Sequence, residues 1–324
     1  MSTRRLARAL GWVNARGASV PSELGIGIGI TTDRFGFRGS NPVARALTPD
    51  IFRIACSGDS FTLGYGVDDA HAWCARLASE LPHTETMNLG QAAYGLDQAW
   101  LWYQRDGLPI AHQLQVFALT DVMLSRAFET DNGGRNKPSI AFRDGKLRVN
   151  GLPVAPQSYK ELNRAYSTRL IRRLRFVQWL RRFPRFDGTR VRTASIAAQW
   201  PAVEAVFGEL AAAHRARGSE LLIVYLPTAE DITPRPNDAQ RGLEAATAAR
   251  LGVLFLDLTP ALRSLPKDSQ YVAFLQNVPS GFAPAIAGHY SNLGNAWVSQ
   301  ALSQCIRELP VYERVTGVRP GARR

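Results

Sequence analysis

The sequence is poor in cysteine, histidine and methionine, and it lacks a long apolar run. Of its 324 residues, three are cysteine, three are methionine and five are histidine. Cys56, Cys74 and Cys305 are far apart and lack the C-x-x-C spacing of zinc and redox sites, so reduced thiols are expected. No stretch approaches the roughly 20 apolar residues of a membrane span. These absences predict a soluble cytoplasmic protein without disulfides or structural zinc.

Positive charge is concentrated in one segment. The formal net charge is +12, and the segment that runs from Arg164 to Arg192 contains ten arginines and one acid, Asp187. Elsewhere there is no zinc-finger spacing, RNP-like aromatic motif or P-loop, so charge alone does not make nucleic acid an expected partner. As a helix, this segment would have two apolar faces. It is either a packed cap helix with snorkelling arginines or a helix that also meets an anionic or membrane surface.

Apolar runs and helical segments alternate along most of the chain. Five apolar runs have the character of buried strands, at 51–55, 86–89, 116–119, 221–226 and 253–258. Good helix formers predict helices at 72–81, 96–105, 201–217, 238–251 and 295–309. This alternation implies a parallel sheet of about five strands with helices on both faces. The predicted fold class is therefore α/β.

Three regions fall outside this alternation. Residues 1–49 are glycine-rich and poorly periodic, and we expect them to wrap the surface as an extended arm. The main domain is predicted at 50–310, followed by a basic C-terminal tail at 311–324. From about 125 to 198, turns and a small hairpin ("FRDGKLRVNGLP") precede the arginine-rich segment. Because this insertion follows the third strand, it is predicted to form a cap over the carboxyl edge of the sheet.

The stretch "FRIACSGDSFTLGYGV" runs from an apolar strand into Gly-Asp-Ser and a glycine-rich turn. Ser60 is therefore predicted at the carboxyl end of a strand, the edge where open α/β sheets usually carry their sites. On this segment alone two interpretations are equally open. Ser60 is either the N-cap of the next helix or a nucleophile.

Three further blocks follow in order: "MNLGQAAYGLDQ", "FALTDVML" and "GHYSNLGN". Together with the Gly-Asp-Ser block they resemble the four blocks of the SGNH hydrolases, the GDSL esterase and lipase superfamily. The upstream "TTDRFGFRG" is similar to an arm that precedes the Gly-Asp-Ser strand in many bacterial members. The resemblance extends from about 31 to 307, without the insertion. It implies a three-layer, flavodoxin-like α/β fold.

The resemblance also implies a set of site residues. Ser60 would be the nucleophile, and His289, in a glycine-containing loop before the last long helix, would be the base. The backbone N–H groups of Ser60 and Gly90 would be oxyanion donors. Thr120 stands where the family has asparagine, and its hydroxyl would be a third, weaker donor.

Two aspartates are expected to support this site. Asp59 precedes the nucleophile, and Asp121 follows Thr120. For Asp121, a carboxylate that fixes the loop through backbone N–H groups is favoured over a direct catalytic role.

The sequence departs from the family pattern before His289. The family places an aspartate two or three residues before the histidine, where it orients the imidazole and stabilises its protonated form. Here those positions hold Ala287 and Ile286. Two possibilities follow: a working Ser60–His289 dyad, or a weakened or non-catalytic descendant.

The other candidate residues have structural interpretations. His71, His83, His112 and His214 show no metal-ligand spacing, and we expect surface or helix-end positions for them. Asp257, in "FLDLTP", is expected to brace a turn.

The predicted function is hydrolysis of an O-acyl ester through an acyl-serine intermediate, without metal or organic cofactor. The expected substrate is an O-acylated small molecule or glycan. The alternatives are an acyltransferase that uses the same serine, a silent glycan- or lipid-binding module, and an interaction protein with a basic surface.

Overall fold

The computed structural model describes residues 4–23, 27–40, 43–156, 196–235, 238–275 and 287–319. The predicted cap helix between Arg164 and Arg192 and the loop residue Ile286 lie outside these ranges. The strands are, in chain order, β1 (Arg4–Ala7), β2 (Gly11–Asn14), β3 (Ser19–Val20), β4 (Ile30–Thr31), β5 (Phe52–Ser57), β6 (Thr84–Asn88), β7 (Leu114–Leu119), β8 (Asp131–Asn132), β9 (Arg135–Asn136), β10 (Ser139–Arg143), β11 (Lys146–Asn150), β12 (Glu220–Tyr225) and β13 (Leu254–Asp257).

The helices cover most of the segments between the strands of the main sheet. They are α1 (Ser60–Leu63), α2 (Trp73–Glu80), α3 (Leu96–Trp102), α4 (Asp121–Arg126), α5 (Trp200–Arg217), α6 (Asp238–Leu251), α7 (Thr259–Ser264), α8 (Lys267–Val272), α9 (Asn292–Arg307) and α10 (Pro310–Thr316). A π-helical turn, Tyr103–Gly107, continues α3. Among the helices of the described ranges, each falls short of the length or apolarity needed to cross a bilayer.

Five strands form one parallel sheet in the order β13-β12-β7-β5-β6. Numbered one to five along the chain, these strands have the order 5-4-3-1-2, which is the flavodoxin-like order read from its other edge. The register aligns Cys56 with Asn88 and with Val116. The carboxyl ends of β5, β6 and β7 therefore meet at one edge. The predicted α/β fold class is confirmed.

Both faces of the sheet are apolar, as parallel sheets require. On β5, Ala55 packs into a core with residues of α3 and α5, whereas Ile54 and Cys56 pack into a second core with residues of α2 and α9. This is the period-2 alternation of a strand whose two faces are both covered by helices.

Residues 1–49 were expected to wrap the surface as an extended arm, but part of this arm is buried in the core. β1 pairs with β2 and β3 with β4 as antiparallel hairpins. Leu10, Trp12 and Val13 are buried in the core that also contains α3. Arg38 donates to three carbonyl oxygens of the chain after Ser60, at Leu63, Gly64 and Val67. The arm is thus built into the domain by apolar burial at one end and by hydrogen bonds at the other.

The C-terminal residues correct a second expectation. α10 covers the first six residues of the predicted basic tail, 311–316, and packs on the sheet rather than extending from it. Tyr312 is fully buried, and its ring meets that of Phe52 edge-on at 5.2 Å between centroids. Val311 and Tyr312 are buried although their neighbours in the sequence are charged. Removal of these two side chains from water stabilises the docked position of α10.

One histidine lies elsewhere than predicted: His112 is buried in the core, whereas His214, although also buried, lies in the last turn of α5, in line with the expected helix-end position. His112 and His214 are buried, and the Tyr103 hydroxyl lies 2.9 Å from Nε2 of His112 and 3.1 Å from Nε2 of His214. Burial lowers the pKa of His112 to about 4 and that of His214 to about 3. Both rings are therefore neutral parts of the core at pH 7. His71 is partly exposed beside Asp68, in line with the expected surface position.

The described part of the insertion packs against the sheet domain through a buried ion pair. β10 and β11 form the predicted hairpin and contact α5. Beside this hairpin, Lys137 Nζ lies 2.7 Å from Asp97 Oδ2, and both side chains are fully buried. Lys137 also donates to the carbonyl oxygens of Arg126, Glu129 and Pro138. The ammonium group therefore joins the start of α3, the end of α4 and the insertion.

Replacement of this lysine is expected to be strongly destabilising. Lys137→Met leaves the Asp97 carboxyl buried without its cation, and burial already raises the pKa of that carboxyl to about 7. The expected loss in the free energy of unfolding is about 3–5 kcal/mol, measured by urea denaturation at pH 7. Lys146→Met, the same change at an exposed position of β11, is the matched control. Equal stability of the two variants would contradict the proposed importance of the pair.

Candidate active site

Ser60 lies where the sequence places it, at the carboxyl edge of the sheet. β5 ends at Ser57, and Ser60 is the first residue of α1. The N-cap of this helix is Asp59, whose carboxylate accepts the Phe61 N–H at 2.9 Å. The interpretation of Ser60 as a mere N-cap is therefore wrong, because its neighbour fills that position.

His289 is held in a short bridge immediately before α9. The His289 carbonyl accepts the N–H of Leu275 at 2.7 Å, and the Gly288 N–H donates to the carbonyl of Leu275 at 2.9 Å. Two residues later Ser291 caps α9 through the N–H of Gly294. The backbone around His289 is thus fixed on both sides.

The structure brings His289 and Ser60 together across 229 positions of sequence. The distance from His289 Nε2 to Ser60 Oγ is 2.9 Å, within hydrogen-bonding range. The imidazole stacks on Phe61, with centroids 4.9 Å apart and an angle of 27° between the planes, and Tyr65 lies 5.1 Å away on a tilted plane. A serine hydroxyl beside a ring nitrogen in a partly apolar setting is the arrangement of an activated nucleophile.

Asp59 is buried beside this pair and is surrounded by hydrogen-bond donors. Its Oδ2 accepts the Thr120 hydroxyl at 3.2 Å and lies 3.7 Å from Nη1 of Arg126. Burial raises the pKa of the Asp59 carboxyl, whereas Arg126, the Phe61 N–H and a positive charge on His289 each oppose this rise. Because such interactions are mutual, an ionised Asp59 favours the protonated imidazole.

Two of the three predicted oxyanion donors already donate to acceptors within the protein. The Ser60 N–H belongs to the first turn of a helix, a position without an intrahelical acceptor. The Gly90 N–H donates to Asn88 Oδ1 at 2.9 Å, and the Thr120 hydroxyl donates to Asp59. To serve an oxyanion, Gly90 and Thr120 would have to exchange these acceptors for the substrate.

Sequence reasoning missed Asn88 and Arg126. Asn88 is buried at the end of β6, where its amide donates to the Thr62 carbonyl at 3.0 Å while it accepts from Gly90. The only available signal was a polar residue at the end of an apolar strand, in "MNLG". Arg126 gave no signal, because its approach to Asp59 depends on the path of α4.

The two remaining aspartates have structural contacts. Asp121 is the first residue of α4, with Oδ1 3.5 Å from Nε2 of Gln240, and its supporting role stays a prediction. Asp257 accepts the Thr259 N–H at 2.8 Å and pairs with Arg241 at 3.2 Å. The expected bracing of this turn by Asp257 is confirmed. Among the described residues, no cluster of histidine, cysteine and acidic side chains is suited to a metal ion.

No family model and no curated protein matches the chain. Among solved structures, it is similar to one described as a lipolytic protein of the G-D-S-L family from Desulfitobacterium hafniense DCB-2, with 13% identity, a TM-score of 0.39, and coverage of 78% of this chain and 98% of that one. It is also similar to a lipase/acylhydrolase from Enterococcus faecalis, with 12% identity, a TM-score of 0.43, and coverage of 84% and 100%. Because these values are low, the functional interpretation depends on the geometry of the site.

Gly90 is required by the close approach of two turns, and a side chain there is expected to be destabilising. A Cβ on Gly90 would lie 2.1 Å from the backbone nitrogen of Leu63 and 2.6 Å from the carbonyl carbon of Thr62. Backbone must move to accommodate it, so Gly90→Ala should lower the free energy of unfolding by about 1–3 kcal/mol. Urea denaturation measures this loss.

The matched control for Gly90 is Gly208, in the middle of α5. A Cβ there meets no atom within 4 Å. Gly208→Ala should raise stability slightly, by up to about 1 kcal/mol, since alanine is the better helix former. Tolerance of alanine at Gly90 would refute the close packing of the two turns.

Proposed function

We propose that the protein is a serine hydrolase of the SGNH type that cleaves an O-acyl ester through an acyl-serine intermediate. Ser60 is the nucleophile and His289 the base. The observation that carries this proposal is the 2.9 Å distance between Ser60 Oγ and His289 Nε2 at the carboxyl edge of the sheet. The substrate class is an O-acylated small molecule or glycan, and no cofactor takes part.

In the first half of the reaction, the Ser60 oxygen attacks the ester carbonyl carbon and its proton passes to His289 Nε2. The carbonyl π electrons move to oxygen, which becomes the oxyanion, and the Ser60 N–H is placed to stabilise it. Collapse of this intermediate breaks the bond to the alcohol, which leaves with the proton from His289. The products of this half are the acyl-serine and the free alcohol.

In the second half, water replaces the alcohol. His289 takes a proton from the water, whose oxygen attacks the acyl carbon, and then returns a proton to the Ser60 oxygen as it departs. The carboxylic acid is released and the enzyme is restored. An alcohol in place of this water would give an acyltransferase, so the two activities differ only in the acceptor.

Asp59 supplies a negative charge beside the imidazolium that forms in each half. Ala287 and Ile286 occupy the positions of the family aspartate, so the sequence near His289 provides no carboxylate. Asp59 interacts electrostatically with a protonated His289. Arg126 and Thr120 oppose the rise in the pKa of Asp59 that burial causes, and an ionised Asp59 favours charge on His289.

The first test uses a fluorophosphonate probe and p-nitrophenyl acetate. We expect labelling and hydrolysis by the natural chain, and loss of both in Ser60→Ala and in His289→Gln, with rates lower on the order of 1,000-fold or more. His71→Ala removes a histidine that pairs with Asp68 away from Ser60, and its rate should be unchanged. Absence of labelling in the natural chain, or a fully active Ser60→Ala variant, rules out the proposal.

The acceptor is determined in the same assay. Addition of a short alcohol diverts the acyl group to a new ester if the protein is a transferase, whereas release of acetate continues if it is a hydrolase. The ratio of the two products, measured by mass spectrometry, decides between them.

The second test concerns Asp59. Asp59→Asn retains an oxygen that can cap α1 but removes the negative charge, so kcat/KM should fall about tenfold or more, equivalent to roughly 1.4 kcal/mol, while the free energy of unfolding changes little. The asparagine variant should lose kcat rather than raise KM, because the charge acts only when His289 is protonated.

The matched control for this change is Asp257→Asn. Asp257 makes the same kind of contact, to the N–H of Thr259 two residues on, but belongs to another turn. Its replacement should leave kcat unchanged. Equal rates for Asp59→Asn and the natural chain would refute the electrostatic role.

A further inference from the structure

A cleft lined by arginines lies at the opposite edge of the sheet from Ser60. The volume of this cleft is about 310 Å³. The residues that line it, here called the arginine cleft, are Arg16, Arg34, Phe35, Arg45, Arg105, Asp106 and Pro109. They come from the loop after β2, the turn before Phe37, the loop before β5 and the π-helical turn that follows α3.

Backbone contacts fix the position of the arginine cleft. The Arg45 carbonyl accepts the Ala111 N–H at 2.9 Å, and the Ala111 carbonyl accepts Nη1 of Arg53, near the start of β5. The cleft is therefore at the amino edge, where β5 and β7 begin. β5 has six residues, so at roughly 3.3 Å per residue its length of about 20 Å separates this edge from the Ser60 edge.

Charge in the arginine cleft is poorly balanced. Four guanidinium groups line it, all on exposed residues, and Asp106 is the one carboxylate among its described lining residues. Asp106 pairs with Arg16 at 3.3 Å and with Arg105. Arg34 is attracted by Asp33, its neighbour just outside the cleft, whereas Arg45 has no carboxylate of the cleft beside it. An anion bound here would relieve the repulsion between like charges.

The second half of the cleft is organised around Phe35. Asp33 accepts the N–H groups of Phe35 and Phe37, which fixes the turn that carries the ring. The guanidinium carbon of Arg34 lies 4.9 Å from the Phe35 centroid, and that of Arg45 lies 5.5 Å from it. Arg34 also donates to the Val43 carbonyl at 3.1 Å. Both guanidinium groups therefore lie within 6 Å of the Phe35 centroid, and the ring carries no charge to balance theirs.

We infer that the arginine cleft binds a phosphate-bearing ligand. A phosphate monoester carries a charge of about −1.5 to −2 at pH 7 and has three acceptor oxygens, which suits a cleft where four arginines face one lining carboxylate. The planar guanidinium donates two parallel N–H bonds to such oxygens. The phosphate belongs either to a soluble metabolite or to a lipid headgroup. This inference is independent of the function proposed for Ser60.

The experiment measures binding of inorganic pyrophosphate to the full chain by titration calorimetry. The natural chain should bind it, and Arg34→Gln/Arg45→Gln should bind at least about tenfold more weakly, equivalent to roughly 1.4 kcal/mol. The matched control is Arg143→Gln/Arg148→Gln, which removes two exposed arginines of the β10–β11 hairpin and should bind as the natural chain does. Arg45→Gln alone serves as a second cleft variant, and thermal unfolding verifies that every variant is folded.

A second arm distinguishes the source of the phosphate. Flotation with vesicles of phosphatidic acid in phosphatidylcholine should retain the natural chain and release the cleft variant if the ligand is a lipid headgroup. Equal retention of both, with weaker pyrophosphate binding by the variant, assigns a soluble ligand. The inference is overturned if the natural chain does not bind pyrophosphate or if the cleft variants bind it as tightly as the hairpin control.

Hydrolysis of p-nitrophenyl acetate is measured in parallel. Because the cleft and Ser60 are at opposite edges, cleft variants should retain the natural rate. An inactive protein that binds pyrophosphate through the arginine cleft would leave this inference standing while the hydrolase proposal fails.

Discussion

The turns after β5 and β6 touch through their backbones, and the site depends on this contact. A Cβ on Gly90, after β6, would lie 2.1 Å from the backbone nitrogen of Leu63 and 2.6 Å from the carbonyl carbon of Thr62, both after β5. Without side chains between them, Asn88 can bind the carbonyl of Thr62 and the N–H of Gly90 together. Asn88, at the end of the neighbouring strand β6, therefore fixes the turn that contains Ser60. A fixed backbone limits the orientations that the Ser60 hydroxyl can adopt.

The same crowding explains the importance of Asp59. A carboxylate buried beneath this turn is costly unless donors surround it. The Phe61 N–H, the Thr120 hydroxyl and the Arg126 guanidinium provide them, each from a different part of the turn or from the neighbouring strand end. The charge that these donors stabilise interacts favourably with a protonated His289. One aspartate thereby links the folding of α1 with the electrostatics of the candidate dyad.

The sequence predicted the features that depend on local patterns. Five apolar runs predicted the strands to within a few residues, and the Gly-Asp-Ser stretch placed Ser60 at a strand end, whereas His289 was proposed through the family resemblance. It missed contacts between distant residues. Trp12 is in a glycine-interrupted arm with no period, yet it is buried under α3. His214 contacts Tyr103, 111 positions away in the sequence, and Thr120 contacts Asp59, 61 positions away. Composition and residue spacing do not predict contacts between residues so far apart.

The N-terminal arm shows why such contacts matter. Two-stranded hairpins are marginal alone in water, so β1–β2 and β3–β4 depend on the domain for their stability. Arg38 fastens the arm to the carbonyls after Ser60, whereas Arg34 and Phe35, a few residues earlier, line the arginine cleft at the other edge. The arm is therefore a continuous connection between the two edges of the sheet. The hydrogen bond between the Asp33 N–H and the Phe37 carbonyl, at 2.8 Å, closes the turn that joins these two segments of the arm.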